Sequence, residues 1–267
     1  MEKALQNLDF LSTQIKITLA YYDNDEVNSV QLFALGLLKR LEHASMALKI
    51  LLNNIGEVPQ LDFSAGIIIR AILLDSLIGL NVYKIIKDNS LEKKTEKREE
   101  DLIRNFCDSI LADGLENTFK YIVNVRTFGF ADKQKVEMAI NHFFKKYERF
   151  FEKYHNDGRM PKLKFEKAQS PNDLFKCIAG DPQMKDISKI YDLYLAYSKY
   201  DHFNILYFDV DQTEHSTKNK RLKRATDIFV RHCVNLHIIL ERESINDIVI
   251  ERQLKVVGGY WQSINSA

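Results

Sequence analysis

The chain has 267 residues, of which 45% are hydrophobic and 28% are charged, and its formal net charge is +1. This composition is typical of a globular protein, and the balanced charge excludes a global attraction to nucleic acid or to a membrane surface. Only ten Gly and four Pro interrupt the sequence. So few breaks favour long helices over many short strands.

The three cysteines indicate neither a disulfide framework nor a zinc knuckle. Cys107, Cys177 and Cys233 are far apart, and none belongs to a C-x-x-C pair. The first residues lack a basic segment followed by an apolar core, which is the pattern of a secretory signal. We therefore expect a cytoplasmic protein.

Helical periodicity predicts amphipathic helices over residues 2–22 and about 26–53, with Asp23-Asn24-Asp25 as a break between them. The next stretch, Ala65–Val82, is almost continuously apolar but contains Arg70 and Asp75. A membrane span has few or no charges, so we expect a central buried helix, capped by Asp62 or Ser64, and no membrane partner. Arg70 and Asp75 are five residues apart and point in different directions, so each needs a partner from another helix.

The middle of the chain is predicted to be helical as well. A charged connection at Lys87–Asp101 precedes helices at about 99–112 and 114–125. Asp132 is expected to cap a helix that reaches about Tyr154, and its aromatic stripe, Phe143 to Tyr154, indicates a core or an interface. We expect one helical domain over residues 1–267, with a candidate internal boundary near 156–170.

The last third of the sequence offers two helix starts, because Ser170-Pro171 and Asp181-Pro182 each place a capping residue before a proline. The second start leads into a helix at Tyr191–Phe203, followed by a short strand or extended segment at Asn204–Val210. Final helices are expected at about 219–242 and 244–256, before Gly258-Gly259. The predicted fold class is all-α, a multi-helix bundle of about eight to ten helices.

The first candidate site combines Arg70, Asp75, Ser198 and His202. Ser198 and His202 are four residues apart and share a helix face. If that helix packs on the central one, His202 held by Asp75 is a plausible general base. Arg70 could then stabilise a developing negative charge. The alternative is a buried polar network that only fixes the helix register.

Two segments around this candidate site also carry a resemblance. Arg70-Ala-Ile-Leu-Leu-Asp75 and Tyr194-Leu-Ala-Tyr-Ser-Lys-Tyr-Asp-His-Phe203 resemble motifs of a bacterial family of all-helical proteins grouped with abortive-infection and HEPN-like proteins. The resemblance implies a HEPN-like bundle in which these positions belong to one site. It does not supply a known reaction.

The second candidate site is Arg231-His-Cys-Val-Asn-Leu-His237, which is similar to the Arg-x4-6-His motif of HEPN ribonucleases. The resemblance implies that Arg231 and His237 act on the scissile phosphate, with the RNA 2′-hydroxyl as nucleophile, no metal, and a site shared across a homodimer. An upstream basic run would bind RNA phosphates; it consists of Lys218, Lys220, Arg221, Lys223 and Arg224. The alternative is that these are ordinary packing and surface residues.

Other sites have little support in the sequence. His202 with Asp201, or His232 with His237, could ligate a metal, but neither spacing is typical of a metal site, and the His-Glu-x-x-His pattern does not occur. Glycine-rich phosphate loops and the G-x-S-x-G motif do not occur either. We expect no metal and no cofactor.

Two functions remain open from the sequence. The first is a HEPN-like, metal-independent ribonuclease that acts on RNA as a defence or toxin effector. The second is a non-enzymatic interaction module, in which the polar cluster is structural and the aromatic stripe is a partner or dimer surface.

Overall fold

The computed structural model describes residues 1–23, 26–58, 61–92, 96–127, 129, 132–152, 163–165, 168–181, 188–198, 215–244 and 247–266. These residues form nine α-helices and a 3-10 turn at Glu148–Phe150, and no strand is found among them. The helices are α1 Glu2–Tyr21, α2 Ser29–Asn54, α3 Leu61–Glu92, α4 Glu96–Thr127, α5 Lys133–Lys146, α6 Pro171–Ala179, α7 Ser188–Ser198, α8 His215–Glu243 and α9 Ile248–Asn265. The all-α, multi-helix prediction is confirmed, and HEPN-likeness stays a prediction.

The chain forms two compact units. Unit 1 comprises Met1–Lys93 and Ser170–Ala267, and unit 2 comprises Lys94–Gln169. Unit 2 is therefore inserted in sequence between α3 and α6. Its first residue falls in the charged stretch Lys87–Asp101, and its last lies at the end of the 156–170 segment.

Unit 1 is organised around α3 and α8. Helix α8 packs against α1, α2, α3, α7 and α9, while α3 also packs against α2, α6 and α7. Fully buried side chains from these helices form its core, and burying each one contributes about 1.5 to 3 kcal/mol. They include Leu8, Leu11, Ile15, Leu38, Leu41, Leu48, Ile69, Leu73, Leu77 and Phe229.

The expectation of a central buried helix is confirmed for α3. Its residues Ile69, Leu73, Leu77 and Leu80 are buried. Among the described residues, Leu61–Asp88 is the one helical stretch that is long and apolar enough to cross a membrane, and more than half of its most apolar part is buried inside the structure. The core helix of a globular protein has the same length and composition.

A missing side chain sets the contact between α3 and α8. A Cβ atom added at Gly79 of α3 would lie 2.9 Å from Cε1 and 3.1 Å from Nδ1 of His232 on α8. His232 is itself buried, so its ring has little room to withdraw. Glycine therefore lets the two helices approach at this point.

Several helix ends follow the capping chemistry of the sequence. Asp132 accepts hydrogen bonds from the amides of Gln134 and Lys135 at the start of α5, as predicted. Ser170 caps α6 ahead of Pro171, also as predicted. The cap of α2 is Asn28, which lies downstream of the predicted 23–25 break. Each cap contributes about 1 kcal/mol.

Several predicted boundaries were wrong. Helix α4 is continuous through Gly114, where two helices had been expected. Helix α9 runs through Gly258 and Gly259 to Asn265, because Tyr260 beyond them stacks on Phe10 with ring centroids 3.8 Å apart. Two glycines cost about 1 to 2 kcal/mol in a helix, and the stacked pair, worth about 0.5 to 1.5 kcal/mol, offsets much of this cost. Helix α3 begins at Leu61, so the two proposed capping residues lie inside its first turn.

Unit 2 buries most of the aromatic stripe. Helix α5 ends at Lys146 rather than near Tyr154, and the chain turns so that Phe151 forms an isolated bridge with Leu163. Four rings of the stripe then join Phe119 in one buried cluster; they belong to Phe143, Phe144, Phe150 and Phe151. The core alternative is thus confirmed for these four residues.

Replacing Gly79 with alanine is expected to destabilise unit 1 by about 1 to 3 kcal/mol, because the new methyl group would overpack His232. Gly36 is the matched control, because it is an exposed position inside α2 with no atom within 4 Å of an added Cβ. Gly36→Ala should raise stability by up to about 1 kcal/mol through helix propensity. Urea unfolding followed by circular dichroism measures both, and an equal effect of the two substitutions would refute the packing argument.

Candidate functional site

Arg70 contacts the aromatic helix α7. Its Nη2 donates to the hydroxyl of Tyr194 at 3.4 Å, and its Cζ lies 5.4 Å from the centroid of that ring. Tyr194 in turn stacks with Tyr191, which stacks with Phe175 of α6. The structure thus brings Arg70 to α7, as predicted, but through an aromatic ring.

Asp75 does not meet Ser198. Its Oδ2 accepts from Nε of Arg40 on α2 at 2.9 Å, whereas Ser198 Oγ donates to the carbonyl of Leu195 in its own helix. Burial raises the pKa of Asp75, and the guanidinium of Arg40 offsets part of this effect. His202, the fourth member of the first candidate site, lies outside the described residues, as does the segment Asn204–Val210.

His237, from the second candidate site, is buried and bonded on both sides of its ring. Nδ1 lies 2.8 Å from the carbonyl oxygen of Cys233, which can only accept, so Nδ1 carries the proton. Nε2 then accepts from the hydroxyl of Thr18 on α1, also at 2.8 Å. Burial lowers the pKa of His237, which keeps the ring neutral. In this geometry His237 joins α8 to α1, and Arg231 is half-buried on the same helix.

His232 is also enclosed in the core of unit 1. Its ring lies against Gly79, and neither ring nitrogen has a hydrogen-bond partner in the described structure. Burial lowers its pKa to about 3. His232 therefore has a packing role.

A cavity of about 320 Å³ lies elsewhere in unit 1, where the ends of several helices meet. Its walls come from the end of α2, the start of α3, the end of α7 and the start of α8. The apolar lining residues are Met1, Leu52, Ile55, Ala65, Ile69, Ala196 and Leu222. The polar lining residues are Asp62, Tyr197, Lys218, Asn219 and Arg221.

The charged residues of the cavity lie close together. Lys218 Nζ binds Asp62 Oδ2 at 3.1 Å. Burial raises the pKa of the Tyr197 hydroxyl far above its usual value, the carboxylate of Asp62 raises it further, and the guanidinium of Arg221 lowers it. Tyr197 therefore keeps its proton and remains a hydrogen-bond donor beside two cations.

The five residues of the predicted basic run have different surroundings along α8. Lys218 and Arg221 line the cavity, and Lys223 is paired with Asp227 at 2.8 Å. Lys220 and Arg224 are exposed. Arg221 forms no ion pair with any residue that the structure describes, so its guanidinium is available to an anion at the cavity.

The sequence analysis missed Asp62 and Tyr197 as site residues. Tyr197 lies in the Tyr191–Phe203 stretch that was predicted to be helical, and Asp62 had been expected to cap α3. The spacing of Lys218, Arg221 and Leu222 places all three on one face of α8, and this spacing is the signal that sequence reasoning could have used.

Within the described part of the chain, no group of three or more His, Cys, Asp or Glu side chains is arranged to hold a metal ion.

No protein-family model, curated protein or solved structure gives a significant match to this chain.

Asp75→Asn is expected to stabilise the protein at neutral pH by about 1 kcal/mol, since the buried carboxylate is disfavoured and an amide oxygen can still accept from Arg40. Below the unfolded-state pKa of about 4 the carboxyl of Asp75 is protonated in both the folded and the unfolded protein, so the stability difference between variant and wild type disappears. As pH rises through the raised folded-state pKa, the wild type loses stability and the variant, which has no carboxyl at this position, does not. Urea unfolding at several pH values measures the difference. Asp192→Asn, an exposed residue of α7, is the control, and a gain that does not depend on pH would contradict the argument.

Proposed function

We propose that unit 1 is a ligand-binding module that takes a small anion with an apolar body into the 320 Å³ cavity. The observation that carries this proposal is the pairing of aliphatic walls with a polar end that includes Arg221, Lys218 and Tyr197. Ligand pockets typically combine an apolar lining with a few convergent polar groups. The cavity has this composition.

The polar end is better suited to binding than to proton transfer. The pKa of Tyr197 is raised by burial, so its hydroxyl is a donor and not a base at neutral pH. Asp62 is held by Lys218. No histidine or cysteine is among the lining residues that the structure describes. The guanidinium of Arg221, which lines the cavity, favours a bound anion.

The polar residues elsewhere in unit 1 support a module without catalysis. The Arg40–Asp75 pair joins α2 to α3, and the Thr18–His237 hydrogen bond joins α1 to α8. Both therefore hold helices in register, which is the structural role considered in the sequence analysis. In this respect the proposal extends the interaction-module hypothesis and gives it a ligand.

Arg221→Gln is expected to weaken anion binding by about tenfold to a hundredfold, because a hydrogen bond to a charged group contributes about 1.5 to 3 kcal/mol. The probe is anilinonaphthalene sulfonate, an anion with an apolar body, titrated by its fluorescence. Arg252→Gln, an exposed residue of α9, is the matched control and should leave the affinity unchanged. Equal affinity in all three proteins would refute the proposed site.

RNA is the second candidate ligand, and the observation that favours it is the exposed pair Lys220 and Arg224 on the helix that lines the cavity. Neither forms an ion pair with a described residue, so both can bind phosphates. In this proposal the chain acts as a metal-independent ribonuclease, with His202 or His237 as the proton-transfer group. The burial of His237 favours His202 between the two.

Cleavage of RNA by the purified protein in EDTA tests this second function. His202→Ala is expected to abolish cleavage with folding intact by circular dichroism. His237→Ala should instead lower the stability, because it removes the hydrogen bond between α1 and α8. Cleavage that survives in His202→Ala would contradict the assignment, and a wild type that cleaves no RNA would leave the ligand-binding module as the function.

A further inference from the structure

We infer that the apolar body of the ligand is one flexible aliphatic chain of medium length and that its head carries a single negative charge. A medium-chain alkyl carboxylate has this chemistry. The inference rests on the proposed ligand-binding function and narrows it to a class of ligand.

The walls of the cavity favour an aliphatic chain over a planar ring. All the apolar lining residues are aliphatic, and Tyr197 is the single aromatic residue among the described lining residues. Proteins usually hold a nucleobase or another planar ring by stacking it on aromatic side chains. The neighbouring rings of Phe175, Tyr191 and Tyr194 stack on one another, so they are occupied within the protein.

The volume of the cavity sets the length of the chain. About 320 Å³ is near the lower end of the usual range for ligand pockets, about 300 to 1,000 Å³. It corresponds to roughly ten groups of the size of a water molecule, at about 30 Å³ each, and a methylene group has a similar size. One chain of roughly eight to twelve carbons fits, and a lipid with two long chains does not.

The polar end favours a monoanion. The planar guanidinium of Arg221 matches a carboxylate, which it can bind with two parallel hydrogen bonds. Asp62 lies close enough to raise the pKa of Tyr197 and would repel further negative charge. The carboxylate of Asp62 also forms an ion pair with Lys218. A nucleotide with several charges is therefore disfavoured relative to a carboxylate.

A homologous series of straight-chain carboxylates, from hexanoate to hexadecanoate, tests the inference by displacement of anilinonaphthalene sulfonate from the full chain. Each added methylene should raise the affinity about fourfold, since its burial contributes about 0.8 kcal/mol. The rise should stop between octanoate and dodecanoate, when the cavity is full. Dodecyl phosphate and adenosine monophosphate serve as comparison ligands, with a phosphate head and a planar body respectively.

A substitution inside the cavity should change the chain length at which the affinity for carboxylates stops rising. Ala196→Leu fills part of the space and is expected to shift it to a chain shorter by two or three carbons, by about 30 Å³ per carbon. Ala139→Leu, the same change at an exposed position of α5 in unit 2, should leave the series unchanged. Circular dichroism confirms that both variants are folded.

The outcomes separate this inference from the proposed function. If adenosine monophosphate displaces the probe better than every carboxylate, or if affinity does not depend on chain length, the aliphatic assignment is overturned while anion binding stands. If dodecyl phosphate binds much more tightly than dodecanoate, the monoanion argument fails. If the wild type binds neither the probe nor, in direct calorimetric titrations, any carboxylate of the series, both the function and the ligand class are refuted.

Discussion

The packing of α8 against α3 depends on the absence of a side chain at Gly79, where His232 fills the space that a Cβ atom would need. A second contact, the ion pair of Asp62 on α3 with Lys218 on α8, precedes the Gly79–His232 contact in both helices, and both of its residues line the cavity. The two helices therefore run in the same direction, and a shift at the Gly79 contact would move both walls of the cavity together.

The sequence was most informative where structure is decided locally. Asp132 and Ser170 cap helices because a side-chain oxygen beside free amides has the same effect in any fold. Gly114 and the Gly258-Gly259 pair were misleading for a related reason. Glycine lowers helix propensity by an amount that tertiary packing easily exceeds, and the stacking of Tyr260 on Phe10 is not visible in the sequence.

The candidate site was harder to predict because its contacts join distant parts of the chain. Arg70 and Asp75 were correctly expected to need partners from other helices, but Tyr194 and Arg40 could not be named from spacing alone. The spacing of Arg231 and His237 is the same whether that face of a helix is buried or exposed. In the fold, the packing of α1 on α8 buries His237, which then bonds to Thr18 of α1. The cavity itself was not predicted, because four helix ends form it and no one of them carries a motif.

The polar residues of helix α8 lie in two different environments, one in each half of the helix. Its second half is buried on most sides, and this burial keeps its histidines neutral. The free-energy cost of burying their polar rings is offset by packing and, for His237, by hydrogen bonds. Lys218 and Arg221, in its first two turns, line the cavity instead. The start of a helix also carries partial positive charge from its free amides, which favours a nearby anion by about 0.3 to 1 kcal/mol. A ligand that binds only the folded state stabilises that state. An anion seated at the cavity would thus stabilise the folded state of unit 1.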